Sequence, residues 1–203
     1  QCQSQFLYIE FILYASCLEI LKRDGTLNAV SVEVLIALRT NLSAYFQGVN
    51  SDDRERLKQE VDRCLFSSPA DAEKFLREYI EPQLACMECK SAPVNWLADD
   101  EAFNFLQNTL PLEWLEDFPD MNFSAQKELL QLAIQFGDRE KLKEIVQQYC
   151  ENLLNITPTL EDEDIKFKRN FWFAHAFYLL NENYEIFWQE LIKDVNSIFI
   201  LEE

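Results

Sequence analysis

Glycine is almost missing from this chain: Gly25, Gly48 and Gly137 are the three in 203 residues, and six prolines are the other strong breakers. A sheet of short strands needs a turn every few residues, many of them built on glycine, whereas long helices need a breaker only at their ends. The scarcity therefore predicts an all-α protein. Hydrophobic residues make up 48% of the chain and charged residues 27%, a balance that supports a buried core and excludes disorder.

The apolar pattern places the helices. Phe6, Ile9, Leu13, Cys17, Ile20 and Leu21 recur at intervals of three and four, the spacing of one buried stripe, and Asp24-Gly25 supplies a C-terminal stop. Asn28 is placed to cap a second helix carrying Val32, Leu35, Ile36, Leu38, Leu42 and Tyr45 up to Gly48. Ser51 opens a third helix to about Leu65, and Ser68-Pro69 a fourth that Pro82 is expected to kink or end. Residues 91 to 123 contain Pro93, Pro111 and Pro119 and read as a connector with short helices near 101–110 and 112–116. A helical hairpin resumes at Ser124, turns at Gly137-Asp138 and breaks at Thr157-Pro158-Thr159; a last pair turns at Asn181 to Asn183.

The expected organisation is an N-terminal helical half (1–92), an acidic, aromatic connector (93–123) and C-terminal helix pairs (124–203), all in one continuous domain. The stretches "LAIQFGDREKLKEIV" and "AFYLLNENYEIFWQEL" share a plan of helix end, polar turn and new amphipathic helix. Their offset falls in the range of HEAT-like repeats. Antiparallel helix pairs stacked in a HEAT-like array and an irregular helical domain are the two arrangements this pattern allows.

Charge narrows the partners. With 18 Lys+Arg against 36 Asp+Glu the net charge is −18, which repels a phosphate backbone or an anionic lipid surface. Direct nucleic-acid binding is not expected. The most apolar stretch, Phe6 to Leu21, carries Glu10 and Glu19 and is shorter than a bilayer requires, so no membrane span is expected either. No Lys or Arg lies between Lys90 and Lys127, while Asp99, Asp100, Glu101, Glu113, Glu116, Asp117 and Asp120 all fall there. A partner drawn by that field is basic.

Several motifs invite chemistry. Cys86 and Cys89 form a Cys-x-x-Cys, but a closed zinc site needs four ligands, and the rest of the chain offers only scattered Cys2, Cys17, Cys64, Cys150 and the single His175. Sequence supports half a site, so a metal at Cys86 and Cys89 is the minority reading. The pair also sits near a helix C-terminus, where the dipole opposes a reactive thiolate. Cys17, Cys64 and Cys150 fall on apolar stripes, as small hydrophobes do. Six cysteines do not make a disulfide scaffold, which favours a reducing, cytoplasmic location, although Asn41, Asn122 and Asn155 open formal glycosylation sequons.

His175 stands among Phe171, Trp172, Phe173, Phe177 and Tyr178, as expected of a structural histidine rather than a base. "EDFPD", Glu116 to Asp120, fits the acidic spacing by which isoprenoid synthases hold Mg-diphosphate, but Pro119 interrupts it and no second metal motif follows. Glu161 to Asp164 follow Thr159 as charges at a helix start do. No zinc-protease or phosphate-loop motif occurs. No cofactor and no catalysis are expected of this segment.

The function these features favour is a non-enzymatic α-helical interaction module for a polypeptide partner with basic character. Trp96, Phe103, Trp114 and Phe118 would anchor the partner, and Glu113, Glu116 and Asp117 would select its basic rim. The competing expectation is that the same aromatics fill the seam between two helical halves. A second reading is a sensor or regulatory helical-repeat arm of a larger multidomain ATPase or effector protein, and a third is a Mg-dependent all-α enzyme using Glu116 to Asp120. The chain opens at Gln1 rather than methionine, which leads us to expect a fragment that also contacts the rest of a longer parent chain.

Overall fold

The protein, described here from a computed structural model covering residues 2–42, 50–86, 89, 92–156, 163–180 and 184–191, is all-α. Its helices are α1 (Cys2–Asp24), α2 (Val32–Asn41), α3 (Ser51–Leu65), α4 (Pro69–Leu84), α5 (Trp96–Asp99), α6 (Leu110–Asp117), α7 (Phe123–Phe136), α8 (Arg139–Leu154), α9 (Glu163–Leu179) and α10 (Tyr184–Leu191), with a 3-10 segment at Glu101–Leu106. No strand occurs among the described residues, and no helix among them is long and apolar enough to cross a membrane. Tyr45, Gly48, Thr157 to Thr159, the acidic residues 161–162, the turn at 181–183 and the tail from 192 lie outside the described residues. The chain divides into two compact units, Gln1–Leu76 and Arg77–Glu203, and the connector anticipated over 93–123 belongs to the second.

In the first unit α1, α2 and α3 pack on one another around Tyr14, Cys17, Leu21, Leu27, Leu35, Leu38, Leu42, Leu57 and Val61. Gly25 ends α1 as expected: its φ of 73° is left-handed, and its N–H donates to the Leu21 carbonyl at 2.9 Å. Two expectations fail here. Ile9, assigned to the buried stripe, is 63% exposed, because the buried face of α1 runs through Tyr14, Cys17 and Leu21. Asn28 does not cap α2, which starts at Val32 after an extended Ser31. The Asn28 side-chain oxygen instead accepts from Arg63 Nη2 at 2.6 Å.

The loop that displaces the cap is held by Glu60 of α3. Its Oε1 accepts from the Thr26 hydroxyl at 2.8 Å and from the Leu27 N–H at 2.9 Å, and the Arg63 guanidinium pairs with the same carboxylate. The hydrogen bond from Arg63, joined by those from Leu27 and Thr26, pulls the Glu60 pKa from 4.5 down to about 2. A depressed carboxylate stabilises the fold above its unfolded pKa and loses that contribution as pH falls through its folded pKa. The first unit is therefore expected to lose stability between pH 4.5 and about 2. Glu60→Gln should cost about 2 kcal/mol at pH 7 and flatten that acid limb in urea titrations read by circular dichroism at several pH values.

In the second unit α6 packs on α7 and α8, α8 on α9, and α9 on α10. Asn122 and Asp138 cap α7 and α8 through their side chains, in keeping with the hairpin expected from Ser124. Pro82 does not end α4, which runs on to Leu84. Pro82 forfeits the hydrogen bond that an N–H would give to the carbonyl four residues back, and two bonds close the turn around it: the Gln83 side-chain amide donates to the Tyr79 carbonyl at 2.8 Å, and the Ala85 N–H to the Glu81 carbonyl at 2.9 Å.

A buried polar residue organises the other end of α7. Gln126 is buried, and its Nε2 donates to the carbonyls of Pro119 at 2.9 Å and Met121 at 3.2 Å. Its Oε1 accepts from Trp172 Nε1 at 3.3 Å. Trp172 in turn stacks on Tyr149 with ring centroids 4.0 Å apart, and the Tyr149 hydroxyl donates to the Leu115 carbonyl at 2.8 Å. This chain of contacts fixes the 118–122 turn against α7, α8 and α9, and so positions the end of α6.

Candidate partner-binding site

The acidic stretch sorts into inner and outer residues. Trp96 is 6% exposed, and Phe103 and Trp114 are fully buried, so these three are core side chains and not surface anchors. The Trp96 ring stacks between Tyr79 at 5.1 Å and Phe103 at 6.2 Å. Burial of such large rings gains more than their exposure to an absent partner would. The Trp114 indole N–H donates to Glu81 Oε1 at 3.0 Å, and Arg77 reaches both Glu81 at 3.1 Å and Glu113 at 2.6 Å. Glu113 thus ties α6 to the middle of α4.

Glu116 pairs with Lys141 at 2.9 Å, both side chains being well exposed, which makes the pair a small contributor to stability. The hydrogen bond to Glu116, followed by the charges of Glu116, Glu113 and Asp117, holds the Lys141 ammonium above its ordinary pKa. The acidic end of α6 therefore favours a cation placed beside it.

Asp117, Phe118 and Asp120 remain at the surface, around a cavity of about 170 Å³ whose other walls include Leu84, Pro119 and Met121. Helix α6 ends there, with the Phe118 N–H donating to the Trp114 carbonyl at 3.0 Å, and α4 ends there at Leu84. Neither helix carries a basic residue in its last turn. The partial negative charge of two helix C-termini therefore adds to that of the two aspartates.

A second, larger groove of about 700 Å³ runs between α4 and α7, with Tyr79 and Gln83 on one wall, Glu128, Gln131 and Gln135 on the other, and Asn95 beside them. In sequence these side chains look like an ordinary solvated face, since polar residues fall once per helical turn. Their recurrence at 128, 131 and 135 on one face of α7 is the signal that was there to find.

The motifs that invited chemistry lie elsewhere. Cys86 and Cys89 are half-buried thiols in the turn after α4, where the Cys89 N–H donates to the Cys86 carbonyl at 3.1 Å. Among the described residues no three His, Cys, Asp or Glu side chains converge as metal ligands. Cys17 and Cys150 are buried and Cys64 half-buried, and burial pushes all three thiols up in pKa. His175 is half-buried, its Nδ1–H donating to the Phe171 carbonyl at 2.8 Å. Burial lowers its pKa, which leaves a neutral ring tied to its own helix. Comparison of the chain with protein-family models, with curated proteins and with solved structures returned no match.

Proposed function

We propose that this protein is a non-enzymatic α-helical interaction module that binds a polypeptide partner with basic character. The contact seats a lysine or arginine side chain in the cavity at the end of α6. The observation that carries this reading is the composition of that cavity, which is lined by Leu84, Phe118, Pro119 and Met121 together with Asp117 and Asp120. A long basic side chain buries its methylene stem against apolar surface while its charged head stays among anions. The two helix C-termini and the cation-free run between Lys90 and Lys127 support the same sign of ligand. Of the acidic and aromatic residues singled out in the sequence, Asp117 and Phe118 make the contact, Glu116 borders it, and Glu113, Trp96, Phe103 and Trp114 hold its scaffold.

Fluorescence anisotropy with a labelled octalysine peptide tests the reading. Asp117→Lys/Asp120→Lys is expected to weaken binding by about tenfold relative to Glu144→Lys/Glu151→Lys, which changes the net charge equally on the exposed side of α8. Equal weakening by the two double variants would show that only net charge attracts the peptide, and would overturn the assignment.

A further inference from the structure

We infer that the groove between α4 and α7 binds the partner's main chain as an extended segment, read by the amide side chains of Gln131 and Gln135. The inference rests on the proposed polypeptide partner and adds the form in which that partner is held.

The geometry of α7 motivates it. Glu128, Gln131 and Gln135 line one wall of the groove and lie on successive turns, spanning about 10 Å of helix axis at about 1.5 Å per residue. An extended peptide covers that length in about three residues, and its alternate peptide groups repeat at about 6.7 Å. Side chains one helical turn apart, at about 5 to 6 Å, therefore meet every second peptide group. A carboxamide presents an N–H donor beside a C=O acceptor, the complement of the C=O and N–H that every second residue of an extended chain turns to the same side. Among the described residues, the side chains of Glu128, Gln131 and Gln135 make no hydrogen bond to the protein's own groups.

The rest of the lining agrees with a neutral or basic chain. Glu128 is the one charged group among the described lining residues, and Leu132 and Pro93 supply apolar floor for side chains. Gln83 lines the groove and the next residue, Leu84, lines the acidic cavity. A peptide crossing the end of α4 can thus lay its backbone in one and a basic side chain in the other.

The test uses acetyl-Lys-Val-Lys-Val-Lys-Val-amide, fluorescein-labelled, and the same peptide N-methylated at its three valine nitrogens, which removes alternate main-chain donors. N-methylation is expected to weaken binding to the native protein by about tenfold, as the loss of two to three neutral hydrogen bonds would. Gln131→Ala/Gln135→Ala, with helicity checked by circular dichroism, should weaken the unmethylated peptide by a similar factor and abolish most of the methylation penalty. Equal affinity of the two peptides for the native protein, an undiminished penalty in the glutamine variant, or no binding at millimolar peptide would each overturn the groove assignment. Asp117→Lys/Asp120→Lys separates this from the cavity reading. It should weaken both peptides alike, and if it leaves them unchanged while the glutamine variant acts, the cavity reading falls and the groove stands.

Discussion

Trp114→Ala is expected to destabilise the second unit by about 4 kcal/mol. The indole is completely buried on α6, so alanine leaves a cavity in the helix that carries Glu113, Glu116 and Asp117, and it strips Glu81 of the donor 3.0 Å away. A loss of that size lowers the thermal midpoint of a unit this large by about 15 °C, readable by far-ultraviolet circular dichroism without dependence on the lost fluorophore. Trp114→Phe fills most of the volume and removes only the N–H, and should cost about 1 to 2 kcal/mol. Because α6 positions the acidic cavity, the alanine variant should also bind the octalysine probe more weakly than the phenylalanine variant. A cost below about 1 kcal/mol for alanine would mean that α6 is not packed as described.

The second large effect lies in the first unit. Arg39 is 2% exposed, and its Nε donates to Asp62 Oδ1 at 2.5 Å. Asp62 also accepts from Lys58 at 3.0 Å. Asp62→Leu deprives a buried guanidinium of its carboxylate and is expected to cost about 3 kcal/mol or more, because the charge stays in a low-dielectric site. Arg39→Met should cost less, since Asp62 keeps Lys58 and remains partly solvated. The double variant should recover most of the loss, as apolar replacements of buried ion pairs commonly do. Urea denaturation of the four proteins closes the cycle. Additive costs would show that the two side chains do not act as a pair.

What the sequence made legible was whatever depends on neighbours in the chain. Gly25 ends α1 through a local left-handed residue, Pro69 opens α4 and the Gly137-Asp138 turn separates α7 from α8, and Cys17 and Cys150 sit in cores as their helical stripes require. The errors share a cause in distant residues. Asn28 looked like a cap because nothing local reveals Arg63, the residue that takes its side chain from α3. Arg39 and Gln126 are buried polar residues that nothing local marks as such, because Asp62 and Trp172, the groups that satisfy them, are remote in sequence.

The same limit applied at the site. Helical periodicity identifies an aromatic as apolar without saying whether its apolar neighbour is this chain or another. Trp96, Phe103 and Trp114 found theirs within the second unit. Charge was more transparent, since a run of carboxylates without lysine or arginine keeps its sign however it folds. Which of those carboxylates are engaged internally, Glu113 with Arg77 and Glu116 with Lys141, emerged only from the structure.

The binding of a basic chain at the end of α6 is tested most directly by mapping it. In a ¹H–¹⁵N correlation titration of the whole chain with octalysine, we expect shifts that saturate along one isotherm and concentrate at the amides of Leu84, Ala85, Asp117, Phe118, Asp120 and Met121, the residues around the cavity. Small shifts spread over the exposed acidic residues of α3 and α8, with no cluster at the cavity, would contradict it.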